Sequence, residues 1–136
     1  MFKFKVKTNF GVKPFNLNWW EPTKTEWAPV LLDSNRPYWK NQTEADGRAW
    51  KPLSAKYRAW KNGRYGPLPI LRISGRMQDT AKVRADLRND RFYVETTKVG
   101  PYHQFGTSKM AARPWMGVPD SSLSKLASIA WKNILK

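Results

Sequence analysis

The sequence predicts an α+β fold: a small antiparallel β-sheet packed with a C-terminal helix and one or two short helices, preceded by an extended N-terminal arm. Three observations carry this prediction. Arg91–Val99 (RFYVETTKV) is rich in β-branched and aromatic residues and follows the turn signal Asn89-Asp90. Phe2, Phe4 and Val6 alternate with Lys3, Lys5 and Lys7, the period of a half-buried strand with a basic outer face. Leu123, Leu126, Ala127, Ala130 and Ile134 keep a 3.6-residue stripe over Ser122–Leu135, widened by Ile129 and Trp131.

Between the first strand and Gly47 the periodicity dissolves. Four prolines interrupt the stretch from Gly11; it has room for a short helical turn over Thr23–Leu32, which Pro29 weakens. Residues 1–47 are therefore expected as a strand followed by an extended Trp- and Pro-rich arm, and residues 48–136 as the α+β domain. Asp46-Gly47 is a turn signal. Leu53, Tyr57 and Trp60 then stand on one face of a short helix that Ser54 can cap and Asn62-Gly63 can end. Leu68, Ile70, Leu71 and Ile73 form a short helix or extended piece leading to Ser74-Gly75. Thr80–Leu87 supplies the first strand of a hairpin and Arg91–Val99 the second. Gly100-Pro101 breaks that strand, and a loop over Tyr102–Pro119 leads to the final helix, capped by Asp120 or Ser121. Lys132 and Lys136 suit that helix's C-terminal dipole.

A chain of 136 residues is one domain by default and buries about two-thirds of the surface its unfolded form exposes. Its 25 Lys and Arg outnumber 10 Asp and Glu, for a net charge of +15. Residues 1–40 carry +4 of this and residues 41–136 carry +11, so the charge is no detachable tail. A field of this sign favours nucleic acid, acidic protein surfaces or other polyanions.

The absence of cysteine excludes disulfides and thiolate metal sites. The N-terminal residues hold no apolar run long enough for a signal peptide or membrane span, so assembly in a reducing cytoplasm is expected, with no membrane partner. His103 is the single histidine and has no sequence-evident catalytic partner; it is read as structural. No phosphate-binding or nucleophile motif is present. Neither catalysis, a cofactor nor a metal is expected.

Aromatic residues carry the remaining signal. Four of the eight tryptophans, Trp19, Trp20, Trp27 and Trp39, fall in the arm, where they are expected to anchor partner subunits. Arg58, Lys61 and Arg64 interleave with Tyr57, Trp60 and Tyr65, a pattern that can grip phosphates and stack bases. The competing reading, the one the sequence favours, puts Tyr57 and Trp60 in the core with the cations facing water.

Three segments occur in an order that resembles the phage virion morphogenesis family, which includes tail completion proteins. They are DGRAWKPLS (Gly47, Trp50, Pro52, Leu53, Ser54), ILRISGRMQDT (Leu71, Ser74, Gly75, Met77) and YHQFGTSKMAARPWMGV, followed by a terminal helix. The last also resembles a loop in neck proteins of lambda-like phages. The resemblance covers about Asp46 to Leu135. It implies an α+β fold, a homo-oligomeric ring (often a hexamer) at the head-proximal end of the tail, and no enzyme activity. Implied partners are the head–tail connector, terminator, tube or sheath proteins, and genomic DNA in the lumen; a tail terminator or baseplate component is the alternative. A soluble nucleic-acid-binding protein is the rival from another class. Family members commonly begin with a long helix before the Gly-Trp segment, and the arm departs from that.

The resemblance makes Gly75, His103, Phe105, Gly106, Arg113, Pro114 and Trp115 the motif positions. Gly106 is expected at positive φ after Phe105. Pro114 should hold Arg113 extended, where it can meet an acidic or carbonyl group of a neighbouring subunit, the alternative being that the loop only braces its own domain. Trp115 should pack on the terminal helix.

Overall fold

The computed structural model describes residues 2–5, 19–89 and 91–136. The remainder of the expected arm, residues 6–18, and Asp90 of the expected turn lie outside the described residues. The fold is α+β, built on a three-stranded antiparallel sheet ordered β1-β3-β2. Its strands are β1 (Phe2–Lys5), β2 (Lys82–Asp86) and β3 (Arg91–Thr96). Val83 pairs with Val94 and Phe4 with Val94, so the central strand is flanked on both sides. Phe92 and Val94 point into the core, as the alternation requires. The hairpin is closed by Arg91 Nε on Asp86 at 2.9 Å, and Arg84 reaches Glu95 across the sheet at 3.0 Å.

The largest correction concerns the arm. Residues Trp20–Lys40 form a 21-residue helix, α1. Trp20, Thr23, Lys24, Trp27, Ala28, Leu31, Asn35 and Trp39 are its buried residues and follow a helical stripe. Pro22, Pro29 and Pro37 lie on the exposed side. Pro22 sits in the first turn, where its missing N–H has no intrahelical partner anyway. Pro29 and Pro37 free carbonyls on the solvent side, where water can serve them. The long N-terminal helix that the resemblance implies is therefore present, and the departure expected from sequence disappears.

Trp20, Trp27 and Trp39 are thus core residues of their own chain. Trp19 is half-buried against Trp20, with ring centroids 5.4 Å apart. Two adjoining clusters make up the core. One gathers Phe4, Trp39, Trp50, Met77, Val94 and Trp115; the other gathers Trp20, Trp27, Leu31, Phe92 and Leu126. Trp39 and Trp50 share the first cluster, so residues on both sides of Gly47 build one core.

Helix α2 (Ala55–Tyr65) starts as expected, with Ser54 Oγ accepting from the Tyr57 amide at 3.3 Å, but runs past Asn62-Gly63. Gly75 opens a single turn, α3 (Arg76–Asp79). β3 stops at Thr96, and Val99–Phe105 form helix α4 instead of strand and loop. Pro101 is the third residue of α4, again where no donor is needed. A 3₁₀ turn (Asp120–Ser122) leads to helix α5 (Leu123–Ile134), which has no side-chain cap. Leu126 and Asn133 are buried on it, while Leu123, Trp131 and Ile134 are exposed, so only part of the expected stripe faces the core. Asn133 enters that stripe because its Nδ2 donates to Thr23 Oγ1 of α1 at 3.0 Å.

Candidate assembly surface

The segment from α4 to Met116 is held by side chain to main chain bonds. Gln104 Oε1 accepts from the amides of Trp115 and Met116, each at 3.0 Å, and its Nε2 donates to the Met116 carbonyl at 2.9 Å. One side chain thus supplies what a neighbouring strand would. Gln104 was not among the residues singled out from sequence, although its place in HQFG marks it. Gly106 ends α4 at φ +74, and a Cβ there would stand 2.7 Å from the Ala112 amide nitrogen. Only glycine meets both conditions.

Trp115 is 1% exposed. It packs on Phe4 and Trp39, with ring centroids 5.7 and 5.4 Å away, and not on the terminal helix. Its Nε1 donates to the Gly100 carbonyl at 3.0 Å, and its own carbonyl accepts from Trp39 Nε1. The Pro114 carbonyl accepts from Trp50 Nε1 at 2.7 Å. The tryptophans therefore tie α1 and the Gly-Trp segment to this loop through their only polar atoms.

Arg113 is buried, and its carbonyl partners belong to its own chain: Nε donates to Lys51 O at 2.6 Å and Nη2 to Pro52 O at 2.9 Å. Lys61, expected at the surface, facing water or contacting DNA or an acidic partner, is 2% exposed and donates to Pro69 O at 2.6 Å. It turns inward because the chain after α2 folds back over that face. Burial and the Arg113 charge lower the Lys61 pKa. His103 is pushed below its usual value by burial first, then by Arg113 and Lys61.

These groups line a groove of about 1100 Å³ between α2, α3 and α4. Its cations are Lys61, Arg72, Arg76, Lys98, Lys109 and Arg113, and no carboxylate lines it among the described residues. Gly75, at φ +80, brings the backbone close under Arg72, whose guanidinium a Cβ would meet at 2.7 Å.

Two further surfaces are apolar, the first of them reaching the edge of the groove at Tyr57. On α2 the rings of Tyr57, Trp60 and Tyr65 form an exposed ladder, with centroids 5.5 and 5.8 Å apart. Arg64 lies 5.6 Å from the Tyr65 ring, and Arg58 is also exposed. The favoured expectation that Tyr57 and Trp60 are core is overturned: α2 turns only Lys61 inward. Leu123, Trp131 and Ile134 of α5, and Leu135 just after it, are exposed. Phe105, 61% exposed, adds an edge against Phe4 at 5.8 Å.

Among the described residues no group of three His, Cys, Asp or Glu is arranged to hold a metal, and no helix is long and apolar enough to cross a membrane. The profile of the phage virion morphogenesis family matches residues 20–134, from the first residue of α1 to the last of α5. The chain belongs to the phage virion morphogenesis family. That makes it a structural protein of the phage particle. The family match begins with α1, the helix the sequence reading replaced with an arm. Searches of curated proteins and of solved structures found no match.

Proposed function

We propose that this phage virion morphogenesis protein is a non-enzymatic ring component that completes the tail or joins it to the head connector. The observation that carries this reading is the exposed apolar surface on α2 and α5, where Trp60 is 49% and Trp131 62% exposed. Patches of this kind on a folded subunit mark protein contacts. In such a ring, one subunit's α5 face packs on its neighbour, and the basic surface turns to the lumen or to acidic proteins of the neck. Arg58 and Arg64, exposed beside the α2 ladder, are suited to meeting the phosphates of passing DNA.

The role is mechanical: to close the end of the tube, offer a docking surface and leave a channel. Light scattering on the purified protein should give a closed oligomer, with six copies the leading expectation, and a particle reconstruction should place it at the neck. A stable monomer absent from mature particles would sink the reading. Location at the tube's end without connector contact would favour a terminator, and location at the far end a baseplate component.

A further inference from the structure

The groove between α2, α3 and α4 concentrates positive charge without a matching carboxylate. Lys61 and Arg113 are buried in its wall, and the bonds that hold them end on neutral main-chain carbonyls. A buried charge costs free energy unless opposite charge meets it. Lys98 and Lys109 on the rim form no ion pair among the described residues, and Arg72 pairs only with exposed Asp79 at 3.2 Å. Two buried polar atoms of lining residues, Thr97 Oγ1 and His103 Nδ1, have no hydrogen-bond partner among the described residues. Between the polar groups run Leu53, Ile73 and Val99, the last two exposed.

We propose that this groove docks an extended acidic segment of a neighbouring virion protein, its carboxylates meeting the cations and its apolar side chains covering Leu53, Ile73 and Val99. Three features select that occupant. At about 1100 Å³ the groove lies at the top of the range of small-ligand pockets, roughly 300–1,000 Å³, and a single small anion leaves most of it unfilled. The apolar strip between the cations suits a peptide that alternates acidic and apolar side chains. A stacked nucleic-acid strand is disfavoured because Tyr57 is the one exposed ring lining the groove among the described residues, and the Trp60 and Tyr65 rings that would continue the stack lie outside it.

The occupant's identity rests on the proposed virion role; the groove's geometry does not. The test uses the full chain and a fluorescein-labelled decapeptide of alternating glutamate and leucine, read by anisotropy. Saturable binding is expected, weakened about tenfold by Lys98→Glu with Lys109→Glu and less by the double glutamine variant. Both lysines are exposed, so folding should persist and circular dichroism should show it. Lys125→Glu on α5 should leave binding unchanged.

Absence of saturable binding overturns the proposal, as does equal loss in the Lys125 variant. It is also overturned if a labelled thymidine 20-mer displaces the peptide with the same dependence on Lys98 and Lys109. Loss of self-association in the double glutamate variant makes the occupant a second copy and overturns it too. A monomer that binds the peptide would defeat the ring and keep the groove; a ring that ignores the peptide would do the reverse.

Discussion

Asn35 and Gly117 exchange two hydrogen bonds across 82 residues: Asn35 Nδ2 donates to the Gly117 carbonyl at 2.9 Å, and the Gly117 amide donates to Asn35 Oδ1 at 3.0 Å. Asn35 also donates to Leu31 O of its own helix at 2.7 Å, which fixes the side chain for that exchange. Asn35→Leu keeps the volume and strands a main-chain amide and carbonyl in the interior. It should cost about 1–3 kcal/mol, measured by urea denaturation, since unmet buried polar groups carry the full desolvation penalty.

Trp115→Ala should be among the most damaging single changes. It opens a cavity among Phe4, Trp39 and Val94 and leaves the Gly100 carbonyl without its indole donor. A loss of about 3–5 kcal/mol is expected. Trp115→Phe should cost less, because most of the ring contact survives. Comparing the two denaturation midpoints separates packing from the hydrogen bond.

Gly106→Ala should destabilise by about 1–3 kcal/mol, since it forces a side chain into positive φ and onto the Ala112 backbone. The equivalent change at Gly63, where a Cβ would meet nothing within 4 Å and which lies inside α2, should stabilise slightly. Thermal melts of the two variants should shift in opposite directions.

Stability should fall as the solution is acidified through the histidine range. The folded chain holds the His103 pKa below its usual 6.5, so under acid the unfolded chain binds the proton more readily. The contribution is therefore intact above about pH 6.5 and is lost as pH drops through the folded value. His103→Gln should remove this part of the slope in denaturation series between pH 7.5 and pH 5, whereas carboxylate contributions at lower pH should persist.

Trp131→Glu should leave the melting temperature nearly unchanged, because the side chain is 62% exposed. Under the ring reading it should abolish oligomers in light scattering. An intact oligomer would move the subunit contact away from α5.

The parts legible in the sequence were those where local pattern and burial agree. The hairpin residues Phe92 and Val94, the Ser54 cap, Gly106 at positive φ and the existence of α5 follow from periodicity and turn chemistry. Helix α1 was hidden because Thr23, Lys24 and Asn35 sit in its buried stripe while three prolines punctuate the other face. Tertiary hydrogen bonds justify those polar residues, and periodicity cannot see them. The groove was illegible for a related reason. Lys61, Arg76, Lys98 and Arg113 are far apart in the chain and meet only when α4 and the following loop fold back. Arg113 was marked by its motif, but nothing local told whether its carbonyl partners lay in the same chain.

Trp27 Nε1 donates to the Leu126 carbonyl at 2.8 Å, joining α1 to α5 across 99 residues. During synthesis, α1 leaves the ribosome long before the surface that covers its tryptophans exists. Trp20 and Trp27 wait for the Leu126 side of their cluster until α5 has been translated, whereas Trp39 is covered earlier by Trp50 and Trp115. A chain cut short before α5 therefore leaves the Trp20 and Trp27 end of α1 uncovered, while its Trp39 end can still pack.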